Sequence, residues 1–363
     1  MRACMKESLD ARARLYNLLC SYSGKLMGER LRGKFDIEEL EAFLRRQVEA
    51  DKFSGCILVA EHEEAVFKKA YGLASKRFSV PNRIDTKFNL GSVNKIFTKV
   101  AIMQLAEQDE LSFDDYIIQH LPNYPTEVAN KVTINHLLNH TSGMGHYWNK
   151  KFRASKDSLR TVDDFLSLFK GDPLSFDPGQ KFEYSNSGYV VLGKIIEVVS
   201  GQDYFDYVRE HIYKRADMKN TDHYEMDLPT PNIAIGYTLM DLEGNPIAGP
   251  RRNNLFMFGV KGSPAGGGYS TVDDMLKFCI GLLHHKLLSP EYTKLLFTPT
   301  RKRPAGKREP RVFGHAGGGP GMGAIFEMYL DLNYIDIILS NYDPNSMWAV
   351  SEKIKNIIVR DQP

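Results

Sequence analysis

The sequence is poor in cysteine, with four in 363 residues: Cys4, Cys20, Cys56 and Cys279. None of them forms the Cys-x-x-Cys spacing typical of thiolate metal sites, so we predict neither a disulfide framework nor a bound metal. Cys56 and Cys279 lie in apolar runs, which predicts buried free thiols. Nucleotide-binding patterns are lacking as well, since there is no P-loop and no Gly-x-Gly-x-x-Gly after a strand. We therefore expect the protein to use no cofactor.

A large net charge and long apolar runs are also lacking. The formal net charge is only +2, so the overall charge indicates neither nucleic acid nor a membrane surface as a partner. No run of 18 apolar residues occurs, which predicts no spanning helix. The N-terminus has no apolar signal-peptide core but many basic side chains. We expect residues 1–34 to be a flexible or partner-binding extension of a cytoplasmic protein, with a targeting segment as the alternative.

What the sequence does have is a concentration of strand-like runs at its two ends. A hairpin pattern occurs near the N-terminal end and three further strand patterns occur near the C-terminal end. Helices are predicted at 36–51, with Asp36 as N-cap, and at 346–359. The strand runs are CILVAE (56–61), AVFKKAYG (65–72), RVFGHAG (311–317), AIFEMYLDL (324–332) and YIDIILSN (334–341).

The middle of the chain, residues 116–260, mixes helical patterns such as 160–170 and 187–200 with long loops. We predict an α/β fold in which residues 35–115 and 261–363 build one antiparallel sheet with flanking helices. The region 116–260 is expected to be a mostly helical insertion, with the active site in the cleft between it and the sheet.

A serine and a lysine open the segment FNLGSVNKIFTKVAIMQLAEQ (89–108), which is apolar on nearly all sides and so predicts a buried helix. Ser92 and Lys95 are three residues apart and share one helical face. Burial disfavours the charged ammonium and lowers the pKa of Lys95, so a neutral lysine can take the proton of Ser92. Negative charge near Ser92 is favoured by the N-terminus of the helix.

The spacing Ser-x-x-Lys is weak by itself, because Ser167 and Lys170 match it too. Ser167, however, lies late in an amphipathic helix that stops at Gly171, with no buried run after it. We interpret Ser167 as part of a solvated helix face and keep Ser92 as the candidate nucleophile.

Two later motifs supply possible partners. In PGQKFEYSNSGY (178–189), Tyr184 can relay protons and Asn186 can hold a substrate carbonyl or amide. A competing Tyr-x-Asn match begins at Tyr147, which we interpret as a cleft-wall aromatic in contact with substrate. Lone matches of this kind are more often structural than functional.

The third motif is His315-Ala316-Gly317, followed by Gly318, at the end of a predicted strand. Glycines at this place let a substrate approach the backbone closely. The amide of Gly318 can pair with the amide of Ser92 as an oxyanion hole. The alternative is a glycine-rich hairpin with a surface histidine.

In the order Ser-x-x-Lys, Tyr-x-Asn, His-x-Gly, the sequence resembles the β-lactamase and penicillin-binding-protein superfamily, in its class C-like branch. That branch contains class C β-lactamases, D-Ala-D-Ala carboxypeptidases, D-aminopeptidases and family VIII-type esterases. The resemblance runs from about Phe53 to Asn341 and includes INHLLNHTSGM (134–144) and SPAGGGYSTVDDM (263–275). It implies an enzyme with a β-lactamase-like fold.

The resemblance also implies roles for single residues. Ser92 would be acylated, while Lys95 and Tyr184 would carry its proton to the leaving group. Asn186 would hold the substrate, and His315 and Gly317 would line the strand beside it. The oxyanion hole would be the amides of Ser92 and Gly318.

The third motif departs from the Lys-Thr-Gly or Lys-Ser-Gly that penicillin-recognising members usually have. A neutral His315 is no permanent cation for a substrate carboxylate, and Ala316 has no hydroxyl. We therefore expect an esterase or broad acyl hydrolase acting on a small-molecule ester or amide. The alternatives are a D-amino-acid peptidase or amidase, a weak β-lactamase, and a catalytically inactive binding protein on the same scaffold.

Overall fold

The computed structural model describes residues 35–298 and 310–360. The predicted extension, residues 1–34, lies outside them, as do Cys4 and Cys20. The described helices are α1 (Ile37–Glu49), α2 (Lys95–Glu107), α3 (Ile117–His120), α4 (Thr126–Ala129), α5 (Ile134–Leu138), α6 (Lys150–Ser155), α7 (Val162–Ser167), α8 (Ser187–Ser200), α9 (Tyr204–Val208), α10 (Val272–Leu283), α11 (Pro290–Leu296) and α12 (Asn345–Arg360). The described strands are β1 (Gly55–Glu61), β2 (Glu64–Tyr71), β3 (Leu73–Ser75), β4 (Val80–Pro81), β5 (Phe88–Asn89), β6 (Tyr237–Thr238), β7 (Arg252–Asn253), β8 (Tyr269–Ser270), β9 (Val312–Gly319), β10 (Met322–Tyr329) and β11 (Tyr334–Ser340).

One five-stranded antiparallel sheet joins the two ends of the described chain, in the order β2-β1-β11-β10-β9. Gly55 of β1 lies opposite Ser340 of β11, and β10 pairs with both β11 and β9. Strand β11 is buried along its whole length because helices cover both faces of the sheet. The prediction of an antiparallel sheet built from both chain ends is confirmed.

The two faces of the sheet carry separate apolar cores. Helices α1 and α12 cover one face, where Ile338 of β11 packs with Ile354 of α12. Helices α2 and α10 cover the other face, where the ring of Phe278 lies 4.9 Å from that of Phe97 and 6.1 Å from that of Phe326. The second core fixes α2, and with it Ser92, against the sheet.

The predicted helices at the chain ends agree with the structure to within two residues. Asp36 caps α1 by accepting a hydrogen bond from the Glu39 amide at 2.9 Å, as predicted. The helical pattern at 187–200 coincides with α8, whereas only Val162–Ser167 of the pattern at 160–170 is helical.

The expectation of a mostly helical region over 116–260 is wrong in its second part. Helices α3 to α9 and a π turn (Arg209–Tyr213) account for the first part. From 214 to 271 every residue is described, and the chain there has no helix and only the short strands β6 to β8. Four prolines between 214 and 260 remove backbone donors that a helix would need. Part of this irregular segment, between Tyr224 and Tyr269, lines the cleft beside Ser92.

Two further sequence predictions can be compared with the described residues. Cys56 and Cys279 are buried free thiols, as predicted. Within 35–298 and 310–360, no helix has both the length and the apolar character needed to cross a bilayer.

Candidate active site

Ser92 lies in a 3-10 turn (Gly91–Asn94) that leads directly into α2. The turn is tight because Gly91 has a φ of 49°, a left-handed conformation that favours glycine. Its amide donates to Asn89 Oδ1 at 2.8 Å, which ties the turn to strand β5. Ser92 is half-buried and its hydroxyl faces the cleft, whereas the residues around it are buried.

Lys95 is 3% exposed and directs its amine toward Ser92. Its Nζ lies 3.2 Å from Ser92 Oγ, 2.7 Å from Asn186 Oδ1 and 2.5 Å from the carbonyl oxygen of Ala265. None of these partners is an anion, so burial is uncompensated and lowers the pKa of Lys95 well below its usual range. The structure thus holds an amine that favours the neutral form beside the serine hydroxyl.

Tyr184 brings a second polar group to the same hydroxyl. Its phenolic O–H donates to Ser92 Oγ at 2.7 Å, and its ring lies 4.9 Å from Lys95 Nζ. Burial of the phenol raises the pKa of Tyr184, and the contact with Ser92 opposes this only in part. Tyr184 therefore keeps its proton at neutral pH.

Asn186 stands at the N-terminus of α8, two residues after Tyr184. Its Oδ1 accepts a hydrogen bond from Lys95 Nζ, so the amide contacts the lysine directly. Asn186 also lines the cleft. The structure thus brings together Ser92, Lys95, Tyr184 and Asn186, which the sequence had singled out.

Strand β9 packs edge-on against the turn that carries Ser92. A Cβ on Gly317 would lie 2.5 Å from the Ser92 amide nitrogen, so only glycine fits there. A Cβ on Gly91 would lie 3.1 Å from the amide nitrogen of Gly318. These contacts bring the backbone around Ser92 close to that around Gly318, and the oxyanion hole formed by their two amides stays a prediction. Gly318 lines the cleft, while Gly317 forms the contact beneath it.

His315 is held by aromatic packing on the sheet. Its ring is stacked on that of Phe326 at 6.0 Å and lies 5.8 Å from that of Phe313. Burial, followed by the nearby charges of Lys99 and Lys95, lowers the pKa of His315 to about 3. The ring is therefore neutral at neutral pH and does not line the cavity, so a direct role for His315 in substrate binding stays a prediction.

The loop 263–268 supplies a site residue that the sequence did not indicate, the carbonyl of Ala265. Thr98 donates to the carbonyl of Pro264 at 2.7 Å, and the Tyr147 hydroxyl lies 3.0 Å from that of Ser263. These contacts fix the loop so that Ala265 faces Lys95. A backbone carbonyl leaves no side-chain pattern, and the Gly-rich run after Ala265 was the one available signal.

The cleft beside Ser92 is a cavity of about 320 Å³ with a mainly aromatic and aliphatic wall. Tyr147 is part of this wall, as predicted, and stacks on Trp148 at 5.8 Å. Among the described lining residues Lys261 alone is charged, and its Nζ lies 3.2 Å from Glu225. Other apolar wall residues are Phe152, Phe165, Met226, Ile233, Leu242, Leu255, Phe258 and Met322.

Two histidines in contact with Tyr184 and Asn186 were missed as site residues. The ring of His140 lies 4.5 Å from that of Tyr184, and its Nδ1 accepts from the Ser185 amide at 3.2 Å. His146 Nδ1 lies 3.3 Å from Asn186 Nδ2. His136 accepts from the Thr133 amide instead, within its own helical turn. Isolated histidines in a loop have no periodicity, so no sequence pattern distinguishes the two that contact the site.

The competing serine, Ser167, lies away from this constellation. It is exposed at the end of α7, and its hydroxyl donates to the carbonyl of Asp164 at 2.6 Å. Such a contact is a local helix-end bond.

Comparison with known proteins places this geometry in a family. The profile of the family Beta-lactamase matches residues 40–354. In Bacillus subtilis (strain 168), putative penicillin-binding protein PbpX is 30% identical over 312 residues, covering 84% of this chain and 75% of that protein. Penicillin-binding protein 4* of the same strain is 28% identical over 334 residues, covering 85% and 72%.

A solved structure is similar over almost its whole length. The penicillin binding protein from Bacillus halodurans has 31% identity and a TM-score of 0.75, covering 86% of this chain and 99% of that one. Sequence profile, relatives and fold agree with one another. The chain belongs to the β-lactamase family of serine hydrolases.

Proposed function

We propose that the protein hydrolyses esters of neutral, apolar acyl groups through an acyl-enzyme on Ser92, with Lys95 as general base. The observation that carries the proposal is the double contact of Ser92 Oγ, with Lys95 Nζ at 3.2 Å and Tyr184 Oη at 2.7 Å. A serine hydroxyl becomes a nucleophile when a neutral base within hydrogen-bond reach can take its proton.

The number of hydrogens on the Lys95 amine, compared with the number of acceptors around it, fits this role. A neutral lysine has two N–H donors and one lone pair. Ala265 O and Asn186 Oδ1 can each accept one N–H, which leaves the lone pair for the hydroxyl of Ser92. The Ser92 oxygen attacks the ester carbonyl as Lys95 takes its proton, and the charge on the carbonyl oxygen is stabilised by the amides of Ser92 and Gly318.

The remaining steps return the proton. The lysine ammonium, directly or through the Tyr184 hydroxyl, protonates the alcohol as the ester C–O bond breaks, which leaves the acyl group on Ser92. Water then attacks the acyl carbonyl while Lys95 takes a proton from the water, and Lys95 returns this proton to Ser92 Oγ as the bond between the acyl carbon and Oγ breaks. The products are the free acid, the alcohol and the regenerated enzyme.

The chemistry of the cleft favours a neutral acyl group. A substrate ammonium needs an anionic partner when it leaves water, and no carboxylate lies among the described lining residues. A substrate carboxylate needs a free cation, but Lys261 already pairs with Glu225. Both facts favour an ester over a D-amino-acid amide, and they weaken the case for a peptide carboxylate.

A second candidate is slow acylation by penicillins or D-peptides. It is supported by the two Bacillus subtilis relatives, both of which are called penicillin-binding proteins. Two observations weigh against this candidate, because neither residue offers a free cation to a substrate carboxylate. His315 is neutral, and Lys261 is already paired with Glu225. This candidate predicts a long-lived penicilloyl adduct on Ser92.

The decisive experiment measures turnover and intact mass on one panel of substrates. The panel contains p-nitrophenyl esters of increasing chain length, a D-amino-acid amide and a penicillin. We expect the esters to be turned over faster than the amide and the penicillin. Ester turnover should fall by about three orders of magnitude or more in Ser92→Ala and Lys95→Ala. Ser167→Ala is the matched control and should keep the wild-type rate.

Three outcomes are distinguishable. Full ester turnover in Ser92→Ala would reject the nucleophile assignment. Amide turnover above ester turnover would favour the peptidase or amidase. The absence of any turnover or adduct would favour the inactive binding protein on the same scaffold.

A further inference from the structure

His146 lies in the loop between α5 and α6, beside the segment that carries Tyr184 and Asn186. Its Nδ1 is 3.3 Å from Asn186 Nδ2, and its ring centroid is 6.0 Å from that of Tyr184. The side chain is only partly exposed, at the edge of the site. The proposed acyl transfer does not use it, although it touches a residue that does.

The orientation of the Asn186 amide determines where the lone pair of Lys95 can point. With Oδ1 facing the amine at 2.7 Å, Asn186 accepts an N–H, as does the carbonyl of Ala265. A neutral amine then has its lone pair free for Ser92. If the amide were turned by a half rotation, its NH₂ group would compete with the Ser92 hydroxyl for that lone pair.

We propose that His146 is a positioning residue, whose neutral Nδ1 accepts a hydrogen bond from Asn186 Nδ2 and so keeps Asn186 Oδ1 on Lys95. The inference rests on the proposed acyl transfer at Ser92. It assigns to His146 the tautomer with hydrogen on Nε2, because Nδ1 must be an acceptor.

This contact makes the base sensitive to acid. A protonated His146 carries hydrogen on Nδ1 and can no longer accept from Asn186. Partial burial lowers the pKa of His146, while the charge of Glu183 raises it. The ring of His146 is thus neutral at neutral pH, and its contact with Asn186 is lost only at acidic pH. The titratable and charged groups facing it are Lys95, His140, Glu183 and Tyr184.

The kinetic test compares His146→Leu with His146→Gln. Leucine removes the acceptor, so kcat for the ester should fall about tenfold with KM changed less than about twofold. Glutamine has an oxygen that can accept a hydrogen bond, and it does not titrate. His146→Gln should therefore keep most of the wild-type kcat, and the fall of its rate toward acidic pH should depend on one ionisation fewer. His284→Gln, at a surface histidine that contacts Glu63, is the matched control. A wild-type rate and acid limb in His146→Leu would overturn the inference.

A measurement without substrate separates this inference from the proposed function. In ¹⁵N-histidine-labelled protein, His146 should carry its neutral-form hydrogen on Nε2. Asn186→Ala removes the donor to Nδ1 and should raise the pKa of His146 by about half a unit or more. Hydrogen on Nδ1, or an unchanged pKa, would reject the positioning role even if esters are turned over. The expected result would support the contact even if Ser92→Ala showed the nucleophile assignment to be wrong.

Discussion

Lys95 is a buried amine whose three hydrogen-bond partners in the described chain are all neutral. Such a group is useful as a base because it loses its proton readily, and for the same reason it opposes folding. The unfolded chain can protonate the amine freely in water, but the folded chain cannot. The residue that makes the chemistry available therefore lowers the stability of the protein.

This conflict predicts a stabilised and inactive variant, Lys95→Met. Burial lowers the folded pKa, so wild-type stability is lost as pH falls from the unfolded lysine value, about 10.4, toward the folded one. We expect Lys95→Met to abolish turnover and to gain about 1 kcal/mol in free energy of unfolding at pH 7. The gain should shrink toward about pH 10, as measured by denaturant titration across pH.

The control for this prediction is Lys286→Met, because Lys286 is exposed in the described structure. Lys286→Met shows how the loss of one exposed ammonium alone changes the free energy of unfolding. A pH-independent gain in Lys95→Met would contradict a depressed pKa for the buried amine.

Strand β9 and the turn Gly91–Asn94 form the contact on which the site is built. The two elements meet without side chains, because glycines occupy positions 91, 317 and 318. In the proposed mechanism, this backbone-to-backbone contact sets the positions of the Ser92 and Gly318 amides that would stabilise the oxyanion. The glycine-rich pattern after His315 therefore has a structural cause in this contact, whereas the sequence had indicated only close approach of a substrate.

Gly317→Ala tests this contact. The added methyl group would lie 2.5 Å from the Ser92 amide nitrogen, so β9 and the turn must separate. We expect kcat to fall by about a hundredfold or more and Tm to drop by a few degrees. Gly171→Ala is the control, because no atom lies within 4 Å of its Cβ position. Wild-type kcat in Gly317→Ala would mean that the two amides do not act together.

Secondary-structure elements with a regular apolar pattern were predictable from the sequence, whereas segments held by irregular hydrogen bonds were not. Helices α1, α8 and α12 follow from 3.6-residue periodicity. The chain between 214 and 271 is fixed by separate backbone contacts, such as the amide of Ala234 to the carbonyl of Lys87 at 3.0 Å. Contacts of this kind join distant segments and leave no periodic trace in one sequence.

The whole molecule has one buried carboxyl on its central strand that nothing in the described chain satisfies. Asp336 of β11 is fully buried, and neither carboxyl oxygen has a hydrogen-bond partner there. It lies opposite Glu327 of β10, which accepts from Tyr329 and Ser351. Burial and then the Glu327 charge raise the pKa of Asp336 well above its usual range, so the folded protein keeps this carboxyl protonated.

Asp336→Asn is therefore expected to stabilise the fold above acid pH. Because the folded pKa is raised, wild-type stability is greatest below the unfolded value, about 3.9, and falls as pH rises. Asparagine does not titrate, so the variant should gain about 1 kcal/mol at pH 8 and less at pH 5. Thermal unfolding across pH measures this, with exposed Asp114→Asn as control. An equal difference at both pH values would show that Asp336 is not protonated.

The site as a whole was predictable where residues belonged to ordered motifs. Ser92, Lys95, Tyr184 and Asn186 were identified by the order of their motifs along the chain, and they meet in space. His146 could not be found in this way, because its contact with Asn186 depends on how two loops fold together. The carbonyl of Ala265 was equally hidden, since any residue type has one.

The pairing of β1 with β11 also has a consequence for biosynthesis. Gly55 of β1 pairs with Ser340 of β11, so the two strands cannot pair until Ser340 has been synthesised. At about 5–20 residues per second, a ribosome takes roughly 15–60 s to pass from one to the other. Until then β1 has an apolar, unpaired edge that can recruit other strands or a chaperone. The site beside Ser92 is therefore incomplete in the nascent chain until Gly318 and the strands that pair with β9 have been synthesised.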